Sequence, residues 1–369
     1  MRYHEKVYEE INDNEIGNVL QDMYLANGKI YFITQNGKTS SMGTTFNGDG
    51  RFVVCDAHTM KRLVARDMPF YANIDTSTGA TQSSKSTLCW PQHIVVVSPE
   101  KAYIQYSTAD NESHSGIRIV DLQTNIIRTS DIPGTFGVFT KTGATKARMI
   151  FSRGKVFAGR GNSVIVLDPA TDAVIKTVTY ENRQVKDLAK GYDGKIYAIF
   201  TGEFTGNSGM TGAASFTKPA MIVALDANGE VVSETNLPEQ IELRTGTASP
   251  TVQMCASFTQ PHLYFIGKQD FSAYEAMRYN YETGKVNWDY ITADLDADHS
   301  GGDIIYGYMG VHPTTEQLWV GKSTYTQSAV HVYDVSRSDA LEFSSFYQKK
   351  ASPAGVDFAY RFSDEWINR

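Results

Sequence analysis

A two-part phrase recurs along this chain, and the repeat limits the possible fold more than any other feature of the sequence. In the first part an apolar strand, a short turn and a strand rich in aromatic and β-branched residues follow one another, as in residues 20–33. In the second part an apolar strand ends in Asp or Asn, whose side chain is expected to accept backbone N–H bonds two residues on and so define a turn. These anchor residues are Asp56, Asp121, Asp168, Asp226, Asn280 and Asp334.

Each repeat therefore contains four antiparallel strands, which we name A to D in chain order. The anchors recur at intervals of 47 to 65 residues, which suits four-stranded β-propeller blades with inserted loops. Six repeats are complete, and residues 6–11 and 354–362 are expected to contribute strands to a seventh blade closed by both termini. We predict an all-β fold, a seven-bladed β-propeller with six blades as the alternative, forming a single domain over residues 1–369. Helix content is expected to be low, because no long segment has helical periodicity.

The longest connections join strand B to strand C, or strand D to the next strand A. Since antiparallel strands alternate in direction, both kinds of connection leave from the same end of a blade, which predicts a binding face at the mouth of an axial channel. The B–C connections are residues 36–50, 107–116, 202–219 and 322–328, and the D–A connections are residues 67–89, 130–146, 236–249 and 290–303.

The candidate ligand-binding residues are aromatic side chains in these connections and polar side chains near the beginning of the A strands. Aromatic groups supply contact area at a low entropic cost, although half or more of them are expected to pack under their own loops. Lys146 and Arg148 are suited to an anionic ligand group, with surface ion pairs as the alternative. The candidates are Gln21, Asp22, Phe70, Tyr71, Trp90, Gln92, His93, Lys146, Arg148, Phe204, Tyr274 and Tyr306.

Charge and hydropathy exclude two classes of partner. The formal net charge is −7 and the chain has no basic tract, so we expect no nucleic-acid binding. No stretch approaches the roughly 18 consecutive apolar residues of a membrane helix, so we expect a protein that does not span the membrane.

One acidic segment suggests a weak metal site. Asp294, Asp296 and Asp298 are spaced like the start of a calcium loop, but His299 and Ile305 occupy positions where that loop has Gly and a bidentate Glu. The alternative is a solvated acidic loop. No other cofactor is predicted, and no nucleophile or zinc motif indicates catalytic residues.

Five segments contain motifs of a known family: residues 16–23, 28–31, 91–94, 168–171 and 281–284. Through them the chain resembles the YncE-like, YVTN-type propellers, and within that group most closely the surface lipoprotein propellers of Bacteroidota, including the cobalamin-binding type. The resemblance implies a seven-bladed, non-enzymatic propeller that captures a corrinoid, an iron chelate or a glycan and works with a TonB-dependent outer-membrane transporter. It also implies a lipoprotein at the outer-membrane surface or in the periplasm, whose leader is absent from this sequence; a cytoplasmic location is less favoured.

Three functions therefore remain open from the sequence. The first is ligand capture on the face with the long connections. The second is a propeller lyase or lactonase with a metal held by His93, Asp294 or His299 at the channel mouth. The third is a scaffold for protein interactions, which would need a large exposed apolar patch.

Overall fold

The computed structural model describes most of the chain. The described residues are 6–36, 48–66, 71–74, 81–108, 114–138, 147–205, 215–238, 254–266, 276–291, 304–305, 308–323, 328–336, 341–348 and 355–369.

Short β-strands make up nearly all of the regular structure in these ranges. The strands are β1 Asn18–Ala26, β2 Lys29–Asn36, β3 Phe52–Asp56, β4 Arg62–Arg66, β5 Tyr71–Ile74, β6 Thr81–Ser98, β7 Lys101–Thr108, β8 His114–Asp121, β9 Ile126–Asp131, β10 Gly137–Val138, β11 Ile150–Ser152, β12 Lys155–Arg160, β13 Ser163–Asp168, β14 Ala173–Thr179, β15 Val185–Lys190, β16 Ile196–Phe200, β17 Glu203–Thr205, β18 Ser215–Lys218, β19 Met221–Leu225, β20 Val231–Asn236, β21 Cys255–Ala256, β22 His262–Ile266, β23 Ala276–Asn280, β24 Val286–Ile291, β25 Ile304–Ile305, β26 Gly310–Val311, β27 Gln317–Ser323, β28 Ser328–Asp334 and β29 Leu341–Gln348. The helices are α1 Val7–Asn12, the 3₁₀ helix Ala359–Phe362 and α2 Asp364–Ile367.

Within the described ranges, these strands form six antiparallel sheets that follow one another along the chain, each in the order A–B–C–D. This confirms the predicted all-β class, a β-propeller of four-stranded blades, and the count agrees with the six-bladed alternative. Blade 1 contains β1–β4, blade 2 β6–β9, blade 3 β11–β14, blade 4 β15, β16, β19 and β20, blade 5 β21–β24, and blade 6 β26–β29. The remaining short strands extend blade 2 (β5 and β10) and blade 6 (β25) or pair with each other (β17 and β18).

The strands predicted for the two termini are not present. Residues 7–12 form helix α1, which is tied to blade 1 because Asn12 Nδ2 donates to Met60 O at 2.9 Å and Tyr8 Oη donates to Asp49. At the other end, Gly355 makes one isolated bridge to Tyr308, and helical turns follow in place of the predicted hairpin. Both strand predictions were therefore wrong, since tertiary contacts favour helical turns in these short segments.

The C–D turns form as predicted. The Asp121 carboxylate accepts the backbone N–H groups of Gln123 and Thr124, each at 2.9 Å. Asp56, Asp226, Asn280 and Asp334 make the equivalent turn contacts. Asp168 forms an ion pair with Lys155 at 3.2 Å.

The chain divides into two compact units, and the prediction of a single domain stays a prediction. Unit 1 comprises Met1–Thr140 and Pro169–Val174, and it contains blades 1 and 2. Unit 2 comprises Lys141–Asp168 and Ile175–Arg369, and it contains nearly all of blade 3 together with blades 4 to 6.

In unit 2 the core lies between successive blades. Ile196, Ala198 and Phe200 of β16 pack into an apolar cluster shared with blade 3, whereas Tyr197 and Ile199 pack into a second cluster shared with blade 5. Because alternate residues of a strand point to opposite faces, both faces of β16 are buried. This explains why strands B and C read as continuous apolar runs in the sequence.

Several of the predicted long connections are shorter than expected. In the connection predicted over residues 67–89, β5 pairs with β6, which already begins at Thr81. In blade 2, β8 begins at His114, so residues 114–116 belong to a strand. In blade 4, β17 and β18 form a small hairpin inside the connection from β16 to β19, with Phe204 opposite Phe216. The central parts of most B–C and D–A connections lie outside the described residues.

The C-terminal segment packs against the A–B ends of blades 3 to 5 within unit 2. The Arg153 N–H donates to Ile367 O at 2.9 Å, and Lys190 Nζ donates to Trp366 O at 2.5 Å and to Ile367 O at 2.9 Å. The Trp366 ring meets Phe258 edge to face at 4.6 Å. These donors satisfy carbonyl groups that the end of a helix otherwise leaves without partners.

Gly159 of β12 allows blades 3 and 4 to approach closely. A Cβ atom at this position would lie 2.8 Å from Val185 Cγ1 and 3.0 Å from Ala147 Cβ. We expect Gly159→Ala to lower the free energy of unfolding by roughly 1–3 kcal/mol because it overpacks this contact. Denaturant unfolding measures the change. Thr177→Ala, an exposed position on the same sheet, is the control, and an equal loss in both variants would contradict the prediction.

Candidate functional site

The carboxylate of Asp187 joins the A strands of three successive blades in unit 2. Oδ1 accepts the backbone N–H of Leu188 at 2.8 Å and that of Arg148 at 3.2 Å, and Oδ2 accepts the N–H of Met254 at 2.8 Å. A register shift between Val185 and Asp187 releases the strand from its regular pairing at this point. A fully buried side chain thus holds blades 3, 4 and 5 together at the beginnings of their A strands.

Burial dominates the titration of Asp187. It raises the pKa of the carboxyl group to about 6, although the three N–H donors and the Arg148 charge favour the ionised form. An acid whose pKa is higher in the folded state than in the unfolded state binds its proton more tightly when folded. Its ionisation therefore weakens stability as the pH rises between those two pKa values.

The side chain of Arg148 lies beside this carboxylate. Its guanidinium carbon is 3.4 Å from the centroid of the Tyr308 ring, so a cation–π contact covers one face of the group. Its Nη2 atom is 3.3 Å from Oδ2 of Asp357, which also binds Arg361. Arg148 thus lies between an aromatic ring and a carboxylate, and its predicted role in ligand binding stays a prediction.

Cys255 begins the A strand of blade 5 in the same neighbourhood. The residue as a whole is half-buried, and burial raises the pKa of its thiol well above the ordinary value. Arg148 opposes this increase, whereas Asp187 and Asp357 add to it. The thiol is therefore protonated at neutral pH and is a poor nucleophile or metal ligand.

Unit 1 contains a similar arrangement around Asp22. Its Oδ1 atom accepts the N–H of Met23 at 2.9 Å, and Oδ2 accepts the N–H of Ile94 of the next blade at 3.2 Å. Oδ2 also lies 3.3 Å from Nδ1 of His93. A register shift again precedes the carboxylate, between Leu20 and Asp22. Asp22 and Asp187 therefore use the same device in different units.

Four other predicted site residues are described, all of them in unit 1. His93 is only 2% exposed and Gln92 is buried, donating from Nε2 to Ser107 Oγ at 2.9 Å. Gln21 Nε2 donates to Val19 O at 3.2 Å. The Nε1–H group of Trp90 is enclosed and has no acceptor among the described residues.

The other predicted ligand and metal residues cannot be placed in this way. For Tyr71 and Phe204 only the backbone is described, in β5 and β17. The rest lie outside the described residues: Phe70, Lys146, Tyr274, Tyr306, Asp294, Asp296 and Asp298. In the ranges that are described, no three His, Cys, Asp or Glu side chains converge on a possible metal position. None of the described helices has the length and apolar character needed to cross a membrane.

The sequence analysis did not single out Asp187, Tyr308 or Asp357. A signal for Asp187 was available, because it is a carboxylate within an A strand five residues before an A–B turn, as Asp22 is. Asp357 had no such signal, since its partner Arg148 is distant in the sequence.

Replacing Asp187 tests the direction of its pKa shift. Asn cannot titrate, so the variant lacks the pH dependence that Asp187 causes. The native protein should therefore lose roughly 2 kcal/mol of free energy of unfolding relative to Asp187→Asn as the pH rises from 4.5 to 7.5. Denaturant unfolding at several pH values measures this difference.

Asp56→Asn is the control for this experiment. Hydrogen bonds from Thr59 hold the pKa of the Asp56 carboxyl below its usual range. The difference in free energy of unfolding between the native protein and Asp56→Asn should therefore stay constant in this window. A difference that grows with pH for Asp187→Asn would show that the carboxylate is favoured inside the protein.

Comparison with known proteins supports the fold and identifies a family. A solved structure described as a quinonprotein alcohol dehydrogenase-like protein from Bacteroides thetaiotaomicron is 16% identical, with a TM-score of 0.59; the match covers 94% of this chain and 71% of that one. A streptogramin B lyase structure is 10% identical, with a TM-score of 0.50 and coverages of 94% and 89%. A chain of a mitotic checkpoint complex is 11% identical, with a TM-score of 0.50 and coverages of 92% and 86%.

At these identities the likeness concerns the fold alone. No curated protein matches the chain. Residues 2–358 match one family over nearly the full length, and the chain therefore belongs to the family described as a domain of unknown function, DUF5074.

Proposed function

We propose that this protein is a non-enzymatic, ligand-binding propeller that captures a small nutrient at the B–C ends of its blades. The resemblance of its repeats to YncE-like propellers, and to the Bacteroidota surface lipoproteins among them, supports a corrinoid, an iron chelate or a glycan as the ligand. The same resemblance supports a location at the outer-membrane surface or in the periplasm and a TonB-dependent transporter as the partner.

The observation that carries this proposal is the placement of buried polar groups within each unit. Asp22, His93 and Asp187 lie within A strands, and Arg148 lies two residues before the A strand β11. Burying a polar group is costly unless the group is paired, and the Asp22 and Asp187 carboxylates are paired with backbone N–H groups. Polar groups placed beside long connections are typical of a ligand site.

The indole N–H of Trp90, which has no acceptor among the described residues, could donate a hydrogen bond to the ligand. A buried N–H without an acceptor costs roughly 1–3 kcal/mol, and a ligand oxygen would recover part of that cost. Trp90 pairs with Ser107, one residue before β7 ends at the B–C connection of blade 2. The indole N–H is therefore close to the end of the blade at which we place the ligand.

In unit 2 the opposite end is occupied by the protein itself. The C-terminal segment covers the A–B ends of blades 3 to 5 through the contacts of Lys190, Arg153 and Phe258. A ligand that reaches the A strands of this unit has to approach from the B–C end.

An enzyme is the second candidate, and the contact between Asp22 and His93 favours it. A His–carboxylate pair can act as a general base, and one solved structure of similar fold is named a streptogramin B lyase. However, His93 is only 2% exposed and its carboxylate partner also binds the backbone, so this pair suits a structural role better.

Isothermal titration calorimetry against a corrinoid, a set of ferric siderophores and neutral oligosaccharides tests the capture function. We expect one class to bind with a Kd in the micromolar range or lower. Trp90→Phe removes the indole donor and keeps an aromatic ring, and it should weaken that binding up to about tenfold, the value of one hydrogen bond.

Lys195→Ala, at the A–B turn of blade 4, is the control and should leave the affinity unchanged. The proposal is wrong if no member of the panel binds, and the position of the site is wrong if only the control loses affinity.

A further inference from the structure

Asp357 is unequally shared between two arginines in unit 2. Arg361 holds it with two short bonds, from Nε to Oδ1 at 2.6 Å and from Nη2 to Oδ2 at 2.8 Å. Arg148 reaches it through one longer contact, from Nη2 to Oδ2 at 3.3 Å. Arg361 is therefore the principal partner of this carboxylate, and the Arg148 contact is the weaker one.

The groups around Arg148 limit the directions from which an anion can approach its guanidinium group. The Tyr308 ring, 3.4 Å from the guanidinium carbon, covers one face of the group. The backbone N–H of Arg148 is bound to Asp187, which fixes the point from which the side chain extends. The side chain is 11% exposed, so part of its surface can be reached. An anion must meet the guanidinium edge, where its N–H groups point.

Asp357 lies in the C-terminal segment, which is distant in the sequence from Arg148 and pairs with Tyr308. Val356 donates its N–H to Tyr308 O at 2.8 Å, and Gly355 bridges to the same residue. These two contacts hold Asp357 next to Arg148 through the backbone. The carboxylate can leave Arg148 without losing Arg361, because the Arg361 bonds lie within its own segment.

We propose that Arg148 is an anion-binding residue and that Asp357 is its resident counter-ion, which a ligand carboxylate or phosphate replaces. The inference rests on the proposed capture function and names the chemical class of the group that is recognised. In the occupied state the ligand oxygens accept two parallel N–H bonds from the guanidinium edge, and Asp357 remains paired with Arg361. Planar or tetrahedral oxyanions suit this fork geometry, whereas a halide ion does not.

Removing the counter-ion provides the main test. Inorganic phosphate and citrate are titrated separately into the full chain at pH 7.5, with chloride as the comparison anion. Asp357→Asn keeps a hydrogen-bonding side chain for Arg361 but no longer competes for Arg148. We expect phosphate or citrate to bind this variant about tenfold more tightly than the native protein. Unchanged or weaker binding overturns the proposal.

Replacing Arg148 tests the receptor itself. Arg148→Lys keeps the charge and removes the fork, and Arg148→Gln removes both, so we expect tenfold or greater weakening in each. Thermal unfolding of each variant verifies that it is folded, and Arg148→Lys remains informative if Arg148→Gln is not. Phosphate binding equal to that of the native protein in the folded variants would show an adventitious ion only and would overturn the proposal.

A second arginine provides a matched control. Arg118 lies 4.8 Å from the Tyr106 ring centroid and 3.3 Å from Asp131, the same combination of groups in blade 2 of unit 1. Asp131→Asn should leave phosphate and citrate binding unchanged, because Arg118 lies within the C strand β8, whereas Arg148 precedes the A strand β11. Equal tightening in Asp131→Asn and Asp357→Asn would show a general charge effect and overturn the proposal.

The two proposals fail in different ways. If phosphate and citrate follow the expected pattern but no nutrient in the larger panel binds, the capture function is wrong and the anion site stands. If a nutrient binds and Asp357→Asn has no effect on any anion, the capture function stands and this inference is wrong.

Discussion

The carboxylate of Asp187 is the interaction on which the structure of unit 2 depends most. Among the residues of this unit that the structure describes, the blades are separate sheets, and no ladder of strand hydrogen bonds joins one to the next. Apolar packing between them is strong but not directional. One buried carboxylate provides a directional interaction, because it accepts N–H groups from Arg148, Leu188 and Met254. It thereby fixes the beginnings of three A strands relative to one another. Asp22 repeats this arrangement between the blades of unit 1.

This arrangement also explains why the polar site lies where it does. Each register shift frees backbone groups near the start of an A strand, and a carboxylate satisfies them. The same carboxylate then lowers the cost of placing Arg148 nearby, and Asp357 and Tyr308 also contact the Arg148 side chain. A structural requirement of the blades thus provides the polar groups that a ligand site needs.

The local features of this fold could be predicted because each depends on a few neighbouring residues. Asp121 defines its turn through contacts two and three residues on, so its role is visible in the sequence. Helix α1 was missed because Val7 and Ile11 read equally well as strand residues. Its position depends on Asp49, more than 40 residues away, which accepts a hydrogen bond from Tyr8.

The sequence alone determined the repeat, the strand order within each blade and the end from which the long connections leave, because period-two patterning and turn chemistry are local. Only the tertiary structure decided which polar residues meet. Arg148 was a sequence candidate, but Asp357 became its partner because a distant segment pairs with Tyr308. Contacts between remote segments depend on how sheets pack. Many apolar residues can pack against one another equally well, so a single sequence does not indicate which residues will meet.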